Sequence, residues 1–458
     1  MGLSENQTGR FGPNRTVWLV IFLLAAIQRI MLALVNREAN DNHHEVMELL
    51  MSGLRSLDMS DCGECFNPKL FYVVCVGVFK AFRIYDADTQ IVVAQFLNVA
   101  AGLATLWFLW TELVRYSKNS FCLYATFALI ALNPRFIGIN CQASNDSFAV
   151  LFSTVAIVFA LRTLRTNRPR NCIVTWLALA LAMLTKGTVW PAAVAVNLLF
   201  VGRALFMRES RMRYAAASLV TIALCLTSVN LGDYDFNSYQ RYAHLGKGQP
   251  LHFFERTIVG RPGVISVVDS YLSFCLIDMI RYPVTTHGPG IEQRHRCSLW
   301  SQLYGRTQFI HFDGWPATWH ATDQLTINIG RLAILFGLPT LGCLLFGMWL
   351  SFEDFFDRVR VDRWRHLAMG ERYGPLLVVC GYTAFIILFS YNFRDFSAMK
   401  IIYILPGLVG FASLFLQGMD AAFSQHTAKV WQRLLMISVV ILSILYITDI
   451  QILIDQLS

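Results

Sequence analysis

The chain has 458 residues, of which 55% are hydrophobic, 13% aromatic and only 15% charged. An ordinary soluble domain is about 25% charged, so this composition excludes a disordered chain, a disulfide scaffold and a nucleic-acid-binding domain. The formal net charge is +8, and the mean hydropathy is +0.48. In such a chain, Lys and Arg first indicate which loops stay cytoplasmic, rather than an acidic partner. The composition therefore predicts an all-α polytopic membrane protein.

Eleven apolar runs are long enough to cross a membrane if the shorter ones are tilted or locally thin the bilayer. Basic segments follow or precede them in a regular alternation, and placing all of these segments inside requires eleven spans with a cytoplasmic N-terminus. The runs are 17–36, 89–113, 120–138, 147–161, 172–185, 188–201, 214–231, 332–352, 375–393, 401–418 and 434–450.

Two long segments then lie on the outer face, 37–88 in the first outer loop and 232–328 in the fourth. The apolar stretch 70–79 in the first of them must not cross, because counting it would invert every later basic loop. We expect a juxtamembrane helix there, with a short true span as the alternative. The apolar stretch 258–280 predicts a second such helix. We expect one integral membrane domain over 1–458, without a separate soluble domain.

Acidic and imidazole side chains follow the first span directly. A carboxylate at a membrane boundary suits a general base that takes a proton from an acceptor hydroxyl. The alternative is a solvated helix start in which Asp41 is the N-cap. The residues are Glu38, Asp41, His43, His44, Glu45 and Glu48.

The same outer segment contains Cys62-x-x-Cys65. With His43 and His44 these cysteines would form a zinc site, although about twenty residues separate the two pairs. On an oxidising outer face a local disulfide is at least as well supported, and two free thiols are a third option. These alternatives stay open at the level of sequence.

Short outer turns contribute further polar residues. Asn145 and Asp146 lie where the fourth span begins, and Asp146 is either a functional boundary carboxylate or a helix-capping group. Lys186 lies in the tight turn LTKGT, where a cation is suited to a lipid phosphate or simply snorkels to the interface. Arg135 lies at the outer end of the third span.

The end of the large outer segment is rich in aromatic and charged residues, among them Tyr304 and Arg306. This mixture suits an interfacial aromatic belt, and it also suits a site that holds a sugar on aromatic faces and a phosphate on Arg306. Arg394 and Lys400 fill the outer turn before the tenth span. They are either flanking charges or a clamp for an anionic headgroup.

Taken in order, these motifs resemble the C-type membrane glycosyltransferases, especially the branch of protein O-mannosyltransferases and lipid A aminoarabinose transferases. Each motif is short, and the specificity lies in their order and shared side of the membrane. The matching pieces are the acidic cluster Asp41 to Glu45, the Pro-aromatic segment ECFNPKLFY at 64–72, Asn145-Asp146, LTKGT at 184–188, LYGRTQF at 303–309 and SAMKIIYILPGL at 397–408.

The resemblance implies transfer of a sugar from a polyprenyl-phosphate-linked donor to a glycan, lipid or protein acceptor by an inverting displacement. It implies Asp41 as the base, Glu45 as the second choice, and Asp146 as a group that orients the acceptor or shares this work. The acidic groups could also bind a divalent cation, so a possible cofactor is left open. The expected substrate-binding residues are Asn145, Lys69, Lys186, Tyr304, Arg306, Arg394, Lys400, Arg135 and His44.

The runner-up function is a transporter or flippase of a lipid-linked saccharide, which would also need cations at one membrane face. It predicts paired discontinuous helices or internal repeats, and we find no such symmetry. The expected location is a bacterial inner membrane with the site facing the periplasm. An endoplasmic reticulum membrane with a luminal site is the alternative.

Overall fold

A computed structural model describes residues 14–37, 42–53, 57, 61–207, 210–231, 267–285, 293–313, 316–321, 323–362, 370–392, 399–424 and 429–458. Within these ranges every regular element is a helix. This confirms the predicted all-α polytopic class.

The first half of the chain contains ten α-helices, including two in the first outer segment. They are α1 Arg15–Val35, α2 His43–Met51, α3 Leu70–Phe82, α4 Ala87–Tyr116, α5 Ser120–Ala131, α6 Pro134–Asn140, α7 Asp146–Thr166, α8 Pro169–Met183, α9 Trp190–Phe206 and α10 Arg211–Leu231.

The second half begins with three short helices of the large outer segment and ends with five longer ones. They are α11 Val267–Leu272, α12 Leu276–Arg281, α13 Leu299–Gln308, α14 Gln324–Phe336, α15 Leu338–Asp362, α16 Gly370–Asn392, α17 Leu408–Ser424 and α18 Lys429–Leu457. Short 3-10 turns connect several of them, including Ile401–Tyr403 and Leu405–Gly407.

Nine helical segments of the described chain are long and apolar enough to cross a membrane, or ten if the bent pair α5 and α6 is one span. Helices α5 and α6 meet at 49°. Helix α8 has 15 residues, so it is only about 22 Å long and falls short of a hydrocarbon core about 30 Å thick. A helix exists at each of the eleven predicted runs, but eleven crossings remain a prediction.

Two predicted boundaries shift. The eighth run begins earlier than predicted, at α14, because Asp323 caps this helix by accepting a hydrogen bond from the backbone N–H of Thr326 at 2.8 Å. The tenth run starts with 3-10 turns, and its α-helix begins only at Leu408. Pro406 lies inside the second of these turns and has no N–H to donate.

Helix α7 is the most enclosed of the candidate spans, with 67% of its apolar window buried, whereas α1 has 28% buried. It packs against α4, α8, α9, α16 and α17. Its inward residues belong to the largest apolar cluster, with Val150, Ile157 and Leu161 almost inaccessible. The first residue of this central helix is Asp146, so the bundle fixes the position of that carboxylate.

Helices α15 and α17 cross at direct backbone contact. A Cβ added to Gly347 would overlap the carbonyl oxygen of Leu414, and a Cβ added to Gly418 would overlap that of Cys343. Small residues allow such close approach between helices in a membrane, where packing replaces the hydrophobic effect as the driving force. This crossing therefore requires glycine on both helices.

We expect Gly347→Ala to destabilise the protein by about 1–3 kcal/mol, because the added methyl group forces the two backbones apart. Gly342→Ala is the matched control, since it lies on the same helix and an added Cβ there meets nothing within 4 Å. Thermal unfolding in detergent measures both variants. Equal melting temperatures for Gly347→Ala and Gly342→Ala would show that the crossing is not tight.

Candidate functional site

The turn between α6 and α7 is buried, although it was predicted as a short outer loop. Every residue from 140 to 147 is buried. Asn98 of α4 donates hydrogen bonds to the carbonyl oxygens of Gln142 at 2.6 Å and Ser144 at 2.7 Å. Asn36, which follows α1, donates to the carbonyl oxygen of Cys141 at 2.8 Å. Side chains from two helices thus satisfy the turn's backbone and hold it rigid.

Asp146 and Lys186 form an ion pair at the end of this turn, with 2.7 Å between Oδ1 and Nζ. Both side chains are nearly buried, at 10% and 12% exposed. Ser144 donates its hydroxyl to Oδ2 of Asp146 at 3.3 Å. Asn145 donates from Nδ2 to the carbonyl oxygen of Thr185 at 3.1 Å, which joins the two turns. The structure therefore brings together three residues that the sequence predicted for one site.

Helix α3 lies beside this pair. The backbone N–H of Leu70 donates to the carbonyl oxygen of Leu184 at 3.1 Å, which ties the start of α3 to the lysine turn. Tyr72 is buried on α3, and its hydroxyl is 2.6 Å from Nδ1 of His43. Burial raises the pKa of Tyr72 well above its usual value, and the negative charges of Glu64 and Asp146 add to the rise. Tyr72 is thus a neutral phenol beside the ion pair.

Cys62 and Cys65 form a disulfide, so the zinc and free-thiol alternatives do not apply. Across the ranges that the structure describes, no group of three or more His, Cys, Asp and Glu side chains is arranged to hold a metal ion. The disulfide closes a tight turn in which Asn67 donates from Nδ2 to Glu64 Oε2 at 2.5 Å. Lys69 donates from Nζ to the carbonyl oxygens of Cys65 and Asn67. These contacts hold the ammonium of Lys69 against its own turn, next to the start of α3.

A second cluster forms around Arg135 and Arg306, both of which are buried. Arg135 donates from Nε to the carbonyl oxygen of Arg306 at 3.4 Å. Arg306 donates from Nε to Gln302 Oε1 at 3.0 Å within α13. Tyr304 donates to the carbonyl oxygen of Ile334 at 2.5 Å, and burial raises the pKa of Tyr304. These contacts join α13 to α6 and α14, so they also stabilise the large outer segment.

Helix α13 is held in place by the preceding part of the outer segment. Asp278 accepts hydrogen bonds on Oδ2 from the backbone N–H of His295 at 2.9 Å and from its Nδ1 at 2.6 Å. Partial burial alone would raise the pKa of Asp278, but these hydrogen bonds and the charge of His295 outweigh it and lower the pKa. The carboxylate of Asp278 therefore anchors the 3-10 turn that leads into α13.

Lys400 lies half-buried at a junction between the two clusters. The 3-10 turn Ile401–Tyr403 that follows it packs against α13, and the next turn, Leu405–Gly407, packs against α7. The chain that follows Lys400 therefore contacts α13, the helix of Arg306, and α7, the helix of Asp146.

Helix α2 turns His43 inward and Glu45 outward. Glu45 is exposed, while Val46 and Met47 pack against the α3 cluster. His44 is 3.2 Å from Gln90 Oε1 through its Nε2 and 3.3 Å from Glu48 through its Nδ1. The structure therefore does not place Glu45 on the side of α2 that contacts α3. Asp41 and Arg394 lie outside the described residues, so their roles remain predictions.

Two buried charges inside spans were missed from the sequence. Arg29 of α1 donates from Nε to Asn140 Oδ1 at 2.9 Å and from Nη1 to the carbonyl oxygen of Ala131 at 2.8 Å. Asp449 of α18 accepts from the backbone N–H of Ile310 at 2.9 Å. Both bind the outer ends of neighbouring segments. The sequence did contain a signal for both residues, because an ionisable residue inside an apolar run indicates a functional or structural polar contact.

The profile of the dolichyl-phosphate-mannose-protein mannosyltransferase family matches residues 81–232, which are 152 of the 458 residues. The match runs from the end of α3 to just beyond α10, so it includes both Asp146 and Lys186. No curated protein matches the sequence of the chain.

Solved structures of membrane glycosyltransferases are similar at low identity. The protein O-mannosyltransferase complex Pmt1-Pmt2 of S. cerevisiae, bound to the sugar donor, is 17% identical with a TM-score of 0.39, covering 47% of this chain and 33% of that one. An oligosaccharyltransferase of Archaeoglobus fulgidus is 12% identical with a TM-score of 0.49, covering 94% and 53%. ArnT of Cupriavidus metallidurans, bound to undecaprenyl phosphate, is 15% identical with a TM-score of 0.37, covering 89% and 78%.

The chain thus spans about a third of the yeast protein's length and about half of the archaeal one. With TM-scores below 0.5, these likenesses carry no residue-level correspondence. The family match includes two of the motifs quoted from the sequence, Asn145-Asp146 and LTKGT at 184–188. The chain is therefore similar to the C-type membrane glycosyltransferases, as its motifs predict.

Proposed function

We propose that the chain transfers a sugar from a polyprenyl-phosphate-linked donor to an acceptor hydroxyl at the outer, periplasmic or luminal, face of the membrane. The observation that carries this proposal is the Asp146–Lys186 ion pair. It lies at the first residue of the central helix α7, in a buried turn beside the start of α3. Both residues also fall within the region that matches the mannosyltransferase family.

Lys186 is suited to the leaving group. When the bond between the sugar C1 and the phosphate oxygen breaks, negative charge develops on the lipid phosphate. A fixed cation in a water-poor site stabilises this charge more than the same cation would in water. Lys186 is 12% exposed and is held by Asp146, so it is already oriented before the donor binds. Lys69, Lys400 and Arg394 are the proposed additional cations for the phosphate.

Asp146 is suited to positioning. Its Oδ1 contacts Lys186 and its Oδ2 accepts from Ser144, so both oxygens have protein partners. We therefore assign Asp146 to holding Lys186 and orienting the acceptor. The proton of the acceptor hydroxyl goes to Asp41, with Glu45 as the second choice, while the hydroxyl oxygen forms the new bond to C1. The polyprenyl phosphate leaves from the opposite side of C1, which inverts the anomeric configuration.

Asp41→Asn is expected to lower the transfer rate by about 100-fold or more, since general-base catalysis contributes about 10²–10⁴-fold. Asp146→Asn is expected to lower it as well, because the amide releases Lys186. Asp88→Asn is the matched control, being an exposed carboxylate in the first turn of α4. The measurement is transfer of radiolabelled sugar from polyprenyl-phosphate hexoses, beginning with mannose, by the full chain in nanodiscs. Full turnover by both folded Asn variants would refute these assignments. Donor movement across the membrane without product would support the transporter alternative.

Lys186→Gln is expected to weaken binding of polyprenyl phosphate by about 10–100-fold, the typical worth of a hydrogen bond to a charged group. The single change also leaves Asp146 without its buried partner. The double variant Lys186→Gln, Asp146→Asn therefore serves to separate lost binding from lost folding. Lys80→Gln on the exposed side of α3 is the matched control. Lipid binding by native mass spectrometry measures all of these. Unchanged affinity in the folded double variant would exclude a phosphate role for Lys186.

A further inference from the structure

A cavity of about 320 Å³ opens at the end of α7 opposite to Asp146. Helix α7 has 21 residues and is about 30 Å long, so this cavity and the Asp146–Lys186 pair lie at opposite ends of the bundle. The cavity lies where the end of α4, the end of α7 and the start of α8 meet. The alternation of basic segments along the chain predicts that this end faces the cytoplasm.

Four arginines line the cavity, namely Arg115, Arg162, Arg168 and Arg170. None of the lining residues is acidic. The neighbouring acid, Glu112, is buried and accepts two hydrogen bonds from Arg165 Nη2, at 2.6 and 2.8 Å. One arginine outside the lining thus already pairs closely with this carboxylate.

Arg162 forms the inner part of the cavity. It donates from Nη2 to Thr111 Oγ1 at 2.7 Å, and its guanidinium carbon lies 4.7 Å from the centre of the Phe159 ring. Glu112 and Arg115 both act on its charge, Glu112 more strongly, so this carboxylate compensates part of the positive charge at the inner end of the cavity. The guanidinium groups of Arg168 and Arg170 at the cavity mouth match the geometry of a phosphate.

The start of α8 adds to the positive field. Arg168 is the N-cap of this 15-residue helix and Pro169 is its first residue, so the helix presents its positive end beside the cavity. Arg168 and Arg170 are both exposed, and an anion can reach them without a structural change.

The other side of the cavity is apolar. Phe159 and Val174 contribute to its lining. The same helices carry large side chains that point away from the bundle, with Trp107 51%, Ile173 51% and Leu177 61% exposed. In a membrane these side chains contact acyl chains. A positive cavity next to a lipid-facing surface fits a lipid headgroup better than a fully soluble ion.

We propose that this cavity binds a phosphate-bearing anion, and that its occupant is the headgroup of an anionic phospholipid of the cytoplasmic leaflet. The arginines take the phosphate, and the acyl chains lie along the lipid-facing sides of α4 and α8. This site is separate from the proposed donor site, because it lies at the opposite end of α7. It does not depend on the chain being a transferase.

The test is native mass spectrometry of the full chain in detergent, titrated with phosphatidylglycerol and, separately, with phosphatidylcholine. The wild type should retain phosphatidylglycerol at lower lipid concentration. Arg168→Gln with Arg170→Gln should weaken this binding about 25-fold, since each basic residue near an anionic lipid contributes about five-fold. Arg115→Gln should weaken it to a smaller extent.

The matched control is Arg211→Gln with Arg433→Gln, which removes the same charge from exposed positions on the same predicted face. It should bind phosphatidylglycerol as the wild type does. A second arm measures thermal stability with inorganic phosphate. One outcome would overturn the lipid headgroup as the occupant and assign free phosphate to the same site. In that outcome, phosphate stabilises the wild type but not the cavity variant, and phosphatidylglycerol binds no better than phosphatidylcholine. Equal binding of phosphatidylglycerol and of phosphate by the cavity and control variants would overturn the proposal.

Discussion

The buried ion pair between Asp146 and Lys186 is the constraint on which the outer half of the structure depends. Removing one partner of a buried pair costs about 3–5 kcal/mol, because the other charge is left without compensation. The turn that carries Asp146 and the turn that carries Lys186 must therefore stay together, and Asn145 reinforces this by bonding to Thr185. The start of α3 then binds the same lysine turn through Leu70.

Helix α7 connects this pair to the opposite end of the helix bundle. Its enclosure by five neighbouring helices fixes both of its ends, so an ion pair and an arginine-lined cavity are held at a set separation. The outer end carries a carboxylate and a cation in a rigid, nearly buried turn. The other end carries four arginines around an open cavity. The same helix thus supports a proposed reaction site and a proposed lipid site that do not share residues.

The sequence predicted the parts of the fold that follow from composition and charge. Apolar runs located the long helices, and a helix at α3 was also predicted. That α3 lies at the interface and does not cross stays a prediction, which rests on the charges of the basic loops. The eighth run was placed too late, since Gln324, Thr326 and Asn328 are polar but belong to a capped helix. A prediction from apolar runs uses hydropathy alone. It therefore does not detect that Asp323 caps the start of this helix.

For the candidate site, the sequence predicted Asn145 and Asp146 because a carboxylate at a membrane boundary is a functional candidate, and Lys186 because a tight turn does not require a lysine. It did not predict that the turn is buried, since this depends on Asn98 and Asn36 reaching it from distant positions in the chain. Arg29 and Asp449 were missed for the same reason. Their partners lie on segments that are distant in the chain, and several of them are backbone groups, which carry no sequence signal.

The proposed reaction requires Lys186 to face the phosphate of the lipid-linked donor. A cryo-electron microscopy structure of the full chain with bound polyprenyl phosphate tests this requirement. We expect the phosphate within about 4 Å of Lys186 Nζ, the distance of a close ion pair. A phosphate bound elsewhere, with the Asp146–Lys186 pair unchanged and closed to the lipid, would contradict it.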